Sequence, residues 1–272
     1  MIVWLASYPR SGNTVLRTLL HQCFDLQTYD DETGTQLVGV LAKLGVGATP
    51  LDSDWDNFYS RASTSTALNL VKTHRYPRDN QPAIYIYRDG RLAIQSYLAF
   101  HRMFVDGGSS KKLFSLLVGD DYYGSWTKHY QGWATRVGPT LIFSFEDIVV
   151  ATPETIKEIG DFLGMEPVRL NWINPMVELQ QKNPDFFRSG ATSWQPGPEW
   201  TDEIDNIFNY LHGNLMVELG YIDKEIVDAS IANLSPSDRK FLDCIGHFSE
   251  RCASLQFHCD ERLRIIKQLS GS

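Results

Sequence analysis

The segment Ser7-Tyr8-Pro9-Arg10-Ser11-Gly12-Asn13-Thr14 sets hydroxyls, a glycine and a fixed positive charge just ahead of an apolar run, residues 15–21. If residues 2–6 form a strand and that run a helix, the loop amides and the helix dipole converge on one spot suited to an anion. Ser11 and Thr14 add hydroxyl donors, Gly12 permits close backbone approach, and Arg10 contributes a guanidinium. The same residues would also serve an ordinary turn with a helix cap. The loop is not a Walker A sequence, because it lacks the Gly-Lys-Ser/Thr ending that holds Mg²⁺ and a γ-phosphate. A second strand-like run, 83–87, ends in Arg88-Asp89-Gly90-Arg91, so arginines stand where a phosphoryl-transfer enzyme would hold its metal. A third run, 68–72, leads to His74, a side chain that titrates near neutral pH and can take up a proton during a reaction.

The elements that must position these residues follow from hydrophobic patterning. Four short apolar runs (2–6, 68–72, 83–87 and 141–145) lack strict polar alternation, which predicts strands buried on both faces. Helix-like stretches at 14–24, 91–104, 121–135 and 153–163 separate or follow them. The last opens with Thr152-Pro153-Glu154-Thr155, an N-cap followed by proline in the first turn. Strands alternating with helices predict an α/β fold, a parallel sheet flanked by helices. Ligands of such sheets bind beyond the carboxyl ends of the strands, where the three loops above lie. Residues 25–67 show weak periodicity, and residues 182–200, with prolines at 184, 196 and 198, read as a loop.

Taken together, the motifs resemble those of the PAPS-dependent sulfotransferases. Tyr8-Pro9-Arg10-Ser11-Gly12-Asn13-Thr14 is similar to that family's 5′-phosphosulfate loop, commonly Tyr-Pro-Lys-Ser-Gly-Thr-Thr. Leu70-Val71-Lys72-Thr73-His74 resembles its Lys-Thr-His strand end, where the histidine is the catalytic base. The run from Ile84 to Arg91, continuing to Ser96-Tyr97, resembles its 3′-phosphate motif, with Arg88 and Ser96 at the family spacing. Tyr123-Gly124-Ser125-Trp126 and Phe145-Glu146-Asp147 look like two further landmarks, and Phe187-Arg188-Ser189-Gly190 resembles the loop that closes over the nucleotide. These six motifs fall in family order between about residues 1 and 221, which implies a P-loop nucleotide-hydrolase-like fold over that stretch.

The resemblance implies in-line transfer of a sulfuryl group from PAPS to a hydroxyl or amine of a small-molecule acceptor, with PAP as product and no metal. It implies catalytic roles for His74, Arg10 and Lys72, and nucleotide contacts from Arg10, Ser11, Gly12, Asn13, Thr14, Arg88, Ser96, Arg188, Ser189 and Gly190. Arg10 stands where the family has lysine, Asn13 where it has threonine, Val15 where it has tryptophan, and Ser189 where it has lysine. A P-loop small-molecule kinase and a non-catalytic nucleotide-binding protein are the alternative readings.

Composition bounds the rest. The 272 residues, 43% hydrophobic and 21% charged with a net charge of -8, describe a folded globular protein and argue against a nucleic-acid binder. Neither a basic leader with a long apolar core nor a membrane-length apolar run is present, so a cytoplasmic location is expected. Cys23, Cys244, Cys252 and Cys259 lack the paired short spacings of a zinc site. Residues 25–60 hold seven acids (Asp25, Asp30, Asp31, Glu32, Asp52, Asp54, Asp56) against one base, Lys43, interleaved with Tyr29, Trp55, Phe58 and Tyr59. Carboxylates among aromatic faces suit an organic cation, so a cationic or guanidine-bearing acceptor is expected; the alternative is a solvated acidic surface. Residues 222–272 read as a helical C-terminal extension. There Phe241, Ile245, Phe248, Cys252, Leu255 and Cys259 form a heptad seam interrupted at Arg262, and Ile266 and Leu269 resume it. Such a seam either makes a homodimer through residues 235–272 or packs back on the body; phenylalanine and cysteine favour packing back.

Overall fold

The structure is a computed structural model that describes residues 1–31, 36–104, 112–184, 187 and 190–270. It divides into two compact units. The first comprises Met1–Arg88 with Gly132–Ala191. Its elements are β1 (Ile2–Ser7), α1 (Asn13–Phe24), β2 (Thr28–Asp30), α2 (Gln36–Lys43), α3 (Trp55–Thr64), β3 (Asn69–Thr73) and β4 (Ala83–Tyr87), then β5 (Thr140–Ser144), α7 (Phe145–Val149), α8 (Pro153–Leu163) and α9 (Met176–Lys182).

The five strands pair in the order β2-β3-β1-β4-β5, all parallel. β1 lies at the centre with every residue buried, which is why it reads as an unbroken apolar run. On one face Val3, Leu5, Ile84 and Ile86 pack with Leu16, Leu19 and Leu20 of α1 and Ile156 and Ile159 of α8. On the other, the Trp4 ring meets Trp55 and Tyr59 of α3, and Tyr85 stacks with Trp133 at 6.3 Å. Trp133 is 1% exposed. After β1 the chain turns toward β3 and β2, whereas β4 and β5 lie on the other side. The crevice at the carboxyl ends of β1 and β4 is therefore the topological switch point.

The second unit comprises Asp89–Gln131 and Thr192–Ser272. It is helical: α4 (Gly90–Phe104), α5 (Leu113–Leu117), most of α6 (Trp126–Ala134), α10 (Asp202–Glu218), α11 (Lys224–Asn233) and α12 (Pro236–Ser270). Residues 222–272 thus belong with α4–α6 and α10. The Trp126 ring lies where a Cβ on Gly90 would come within 2.8 Å, so only glycine fits at the start of α4. α12 does pack on this unit, through Leu242, Ser249 and Ala253, all buried, and through Tyr122–Asp260 and Tyr210–Asp243 hydrogen bonds of 3.0 and 2.8 Å. The packed stripe is not the one the heptad pattern picked out: Phe241, Phe248 and Leu255 point to solvent. Among the described residues no helix is long and apolar enough to cross a membrane.

Two sequence expectations shift. Phe145 does not end β5; it opens α7 behind a capping box in which Ser144 and Asp147 exchange hydrogen bonds. Within 25–67, where the sequence shows only weak periodicity, lie β2, α2 and α3.

Candidate active site

The loop between β1 and α1 takes left-handed backbone at two positions, Arg10 (φ 65°) and Gly12 (φ 109°). Ser11 N–H closes a turn on Tyr8 O at 3.2 Å, and Val15 and Leu16 amides donate to Gly12 O to start the helix. Alternating backbone handedness ahead of a helix N-terminus is a concave anion-binding shape. Ser11 is fully buried, and its Oγ takes no hydrogen bond among the described residues. A Cβ on Gly12 would sit 2.5 Å from the Phe145 ring, so both backbone handedness and space require glycine. Asn13 spends its side-chain amide on the scaffold, donating to Leu5 O at 2.7 Å and Ser7 Oγ at 3.3 Å, which ties the helix start to β1.

Arg88, just beyond β4, joins three of the predicted segments. Its Nη1 donates to Arg10 O at 3.2 Å and its Nη2 to Ala191 O, while the guanidinium lies 4.5 Å from the Phe145 ring centre. Gly190 approaches the same ring, with its Cβ position 3.8 Å away. Phe145 is therefore the shared floor under loop, arginine and closing segment. The sequence marked it only as a landmark, because nothing local distinguishes it from a strand-end core residue. Arg188 and Ser189 lie outside the described residues. Ser96 is half-buried, two turns into α4.

His74 follows β3 directly and is half-buried. Its Nδ1 lies 2.8 Å from Ser7 O and 3.3 Å from Ser7 Oγ. A carbonyl oxygen only accepts, so Nδ1 carries the hydrogen and the lone pair of the neutral ring resides on Nε2. The register that sets Ala6 beside Thr73 brings Ser7 and His74 together. No motif spacing reveals Ser7 as the partner, since 67 residues separate the two.

Lys72 faces a buried ion cluster. Its Nζ is 3.4 Å from Asp30, which is 3.7 Å from Arg17, and Arg17 Nε donates to Thr28 Oγ1 at 2.7 Å. Burial pushes the Arg17 guanidinium below its ordinary range, and the charge of Asp30 works against that. Asp31, also buried, accepts from Thr73 Oγ1 at 2.8 Å and pairs with Arg75 and Arg78 at 3.6 and 3.4 Å.

The acidic aromatic segment serves the chain's own groups. Arg78 lies within 5.3–5.7 Å of the Trp4, Trp55 and Tyr59 ring centres, filling the aromatic faces expected for a ligand cation. Asp52 pairs with Arg61 at 2.6 Å. Asp54 caps α3 by accepting from Asn57 N, and these hydrogen bonds hold its carboxyl below the usual range.

A sulfotransferase-domain family model matches residues 2–192. Flavonol 3-sulfotransferase of Flaveria bidentis is 27% identical over 180 residues, 60% of this chain and 56% of that protein. Sulfotransferase 2A1 of Mus musculus is 27% identical over 177 residues, 59% of this chain and 58% of that protein. The chain thus matches a little over half the length of these curated relatives. A crystal structure of a mouse sulfotransferase complexed with PAP shares the fold, with a TM-score of 0.51 at 16% identity over 86% of this chain and 89% of that one.

Proposed function

The chain belongs to the sulfotransferase family, and from that premise we propose that it transfers a sulfuryl group from PAPS to a hydroxyl or amine of a small-molecule acceptor, with His74 as the base. The observation that carries this reading is the 2.8 Å bond from His74 Nδ1 to Ser7 O, which leaves Nε2 as the nitrogen that accepts a proton. The residues present fit the nucleotide: the loop offers a buried hydroxyl on Ser11, first-turn amides of α1 and a doubly left-handed backbone. When bound, PAPS supplies the sulfuryl group for in-line transfer and departs as PAP.

Ser11, Gly12, Asn13 and Thr14 hold the 5′ end through backbone amides and hydroxyls. We assign the 3′-phosphate to Arg88, and the family resemblance adds Ser96, Arg188, Ser189 and Gly190 to its contacts. Arg10, assisted by Lys72 in its ion pair with Asp30, opposes the negative charge that grows on the leaving oxygen. His74 Nε2 takes the acceptor's proton as its oxygen or nitrogen attacks, and Ser7 O stabilises the resulting imidazolium through Nδ1–H. A cationic or guanidine-bearing acceptor would compete for carboxylates that already hold Arg61, Arg75 and Arg78, so a neutral acceptor fits this segment better.

Calorimetry with PAP, and with ATP plus Mg²⁺, tests the donor. PAP should bind without metal, and Arg88→Ala should weaken it by tenfold or more, the loss of a charged contact. Preference for ATP with Mg²⁺ would replace this reading with a kinase.

A further inference from the structure

The exposed stripe on α12 is too regular to be incidental. Phe241, Phe248 and Leu255 are 58%, 67% and 61% exposed, Cys252 and Cys259 are exposed, and Ile245 is half-buried. They alternate in steps of four and three, the a/d spacing that a second helix covers. The stripe that packs on the chain's own unit, Leu242, Ser249 and Ala253, lies roughly a quarter to a third of a turn around the helix. The two faces can therefore be occupied at once.

We propose that this face pairs with α12 of a second copy of the chain, antiparallel, in the register that sets Phe248 against Cys252 of the other copy. In antiparallel coiled coils an a position of one helix opposes a d position of the other. This register then sets Ile245 against Leu255 and Phe241 against Cys259, so the bulky phenylalanines meet small cysteines. One further step brings Arg262, the charged break in the seam, opposite Asp238 at both ends of the dimer. Both residues are exposed. Asp238 caps its own helix through Oδ2, accepting from Ser235 N and Oγ, and among the described residues Oδ1 takes no hydrogen bond. A parallel pair would instead stack phenylalanine on phenylalanine and press Arg262 against its own copy. Antiparallel helix dipoles also favour the first arrangement. The seam offers roughly 500 Å² per copy, about 1,000 Å² in all, which reaches the size of a specific interface.

Light scattering on the full chain across micromolar concentrations reads the mass. A dimer is expected, with the mass halving in Leu255→Glu. The substituted side chain is exposed, and an unchanged circular-dichroism spectrum confirms the fold. Phe241→Cys, oxidised with diamide and mapped by mass spectrometry, reads the register. A disulfide joining position 241 of one copy to Cys259 of the other is expected, because the two lie about 27 Å apart within one helix. A monomeric wild type, or a dimer indifferent to Leu255→Glu, overturns the interface. Links joining 241 to 241 and Cys259 to Cys259 overturn the antiparallel register.

Discussion

His74 and His212 show how one residue type takes two roles in different surroundings. His212, on α10 of the second unit, is buried with both nitrogens in use: Nδ1 with Thr127 Oγ1 at 2.8 Å and Nε2 on Leu117 O at 2.9 Å. Trp126 and Phe208 close around its ring. Burial there expels the charged form and pushes its pKa down to about 4, only partly offset by the Leu117 carbonyl. His74 stands half-buried at a strand end, with Nδ1 held by a carbonyl that tolerates a proton arriving on Nε2. Fold stability uses both nitrogens of His212; the proposed chemistry needs one of His74's for support and the other for the proton.

Exchanging the expected consequences would break this contrast. His74→Ala should cut turnover about 1,000-fold while leaving PAP affinity and the melting curve nearly unchanged, read by single-turnover assay and calorimetry. A fall of less than tenfold would remove His74 from proton transfer. His212 should show its effect on stability. Its folded pKa lies below the ordinary 6.5, so its contribution is complete above pH 6.5 and is lost as pH falls toward 4. The loss amounts to about 3 kcal/mol across that window. Urea melts at pH 7 and pH 4.5 should reveal it, and His212→Gln should flatten that acid dependence.

Gly12→Ala tests the loop beside His74. It forces a Cβ against Phe145 at a left-handed position and should cost about 2 kcal/mol of stability, together with PAP binding. The smallest effect sharpens the contrast most. Ser7→Ala removes the hydroxyl shared with His74 and Asn13 but keeps the carbonyl, so stability should fall by about 1 kcal/mol and turnover less than tenfold. If Ser7→Ala matched His74→Ala, the hydroxyl rather than the carbonyl would orient the ring.

Much of the frame was legible beforehand for a local reason. Strands buried on both faces are short apolar runs bounded by turns, and β4 and α8 appear with the expected bounds, β1 and β3 within a residue. β2 is three residues that include an aspartate and carries no hydrophobic pattern; Asp30 is tolerated there because Arg17 and Lys72 meet it. The acids and rings of 25–67 suggested a ligand cation because composition does not show that Arg78, beyond β3, fills those faces. On α12 the heptad residues Phe241, Phe248 and Leu255 face solvent, and the helix packs through the neighbouring stripe, whose small and polar residues, Ser249 and Ala253, give a weaker signal than phenylalanine.

Which loops carry charge, hydroxyls and glycine, and that they follow strands, can be read along the chain, because those features are local and periodic. The pairings arise from packing in three dimensions: Ser7 under His74, Phe145 beneath Gly12 and Arg88, Arg78 among the tryptophans, and the outward face of α12. Each depends on an orientation between distant segments that strand register and helix packing set, and no spacing along the chain encodes it.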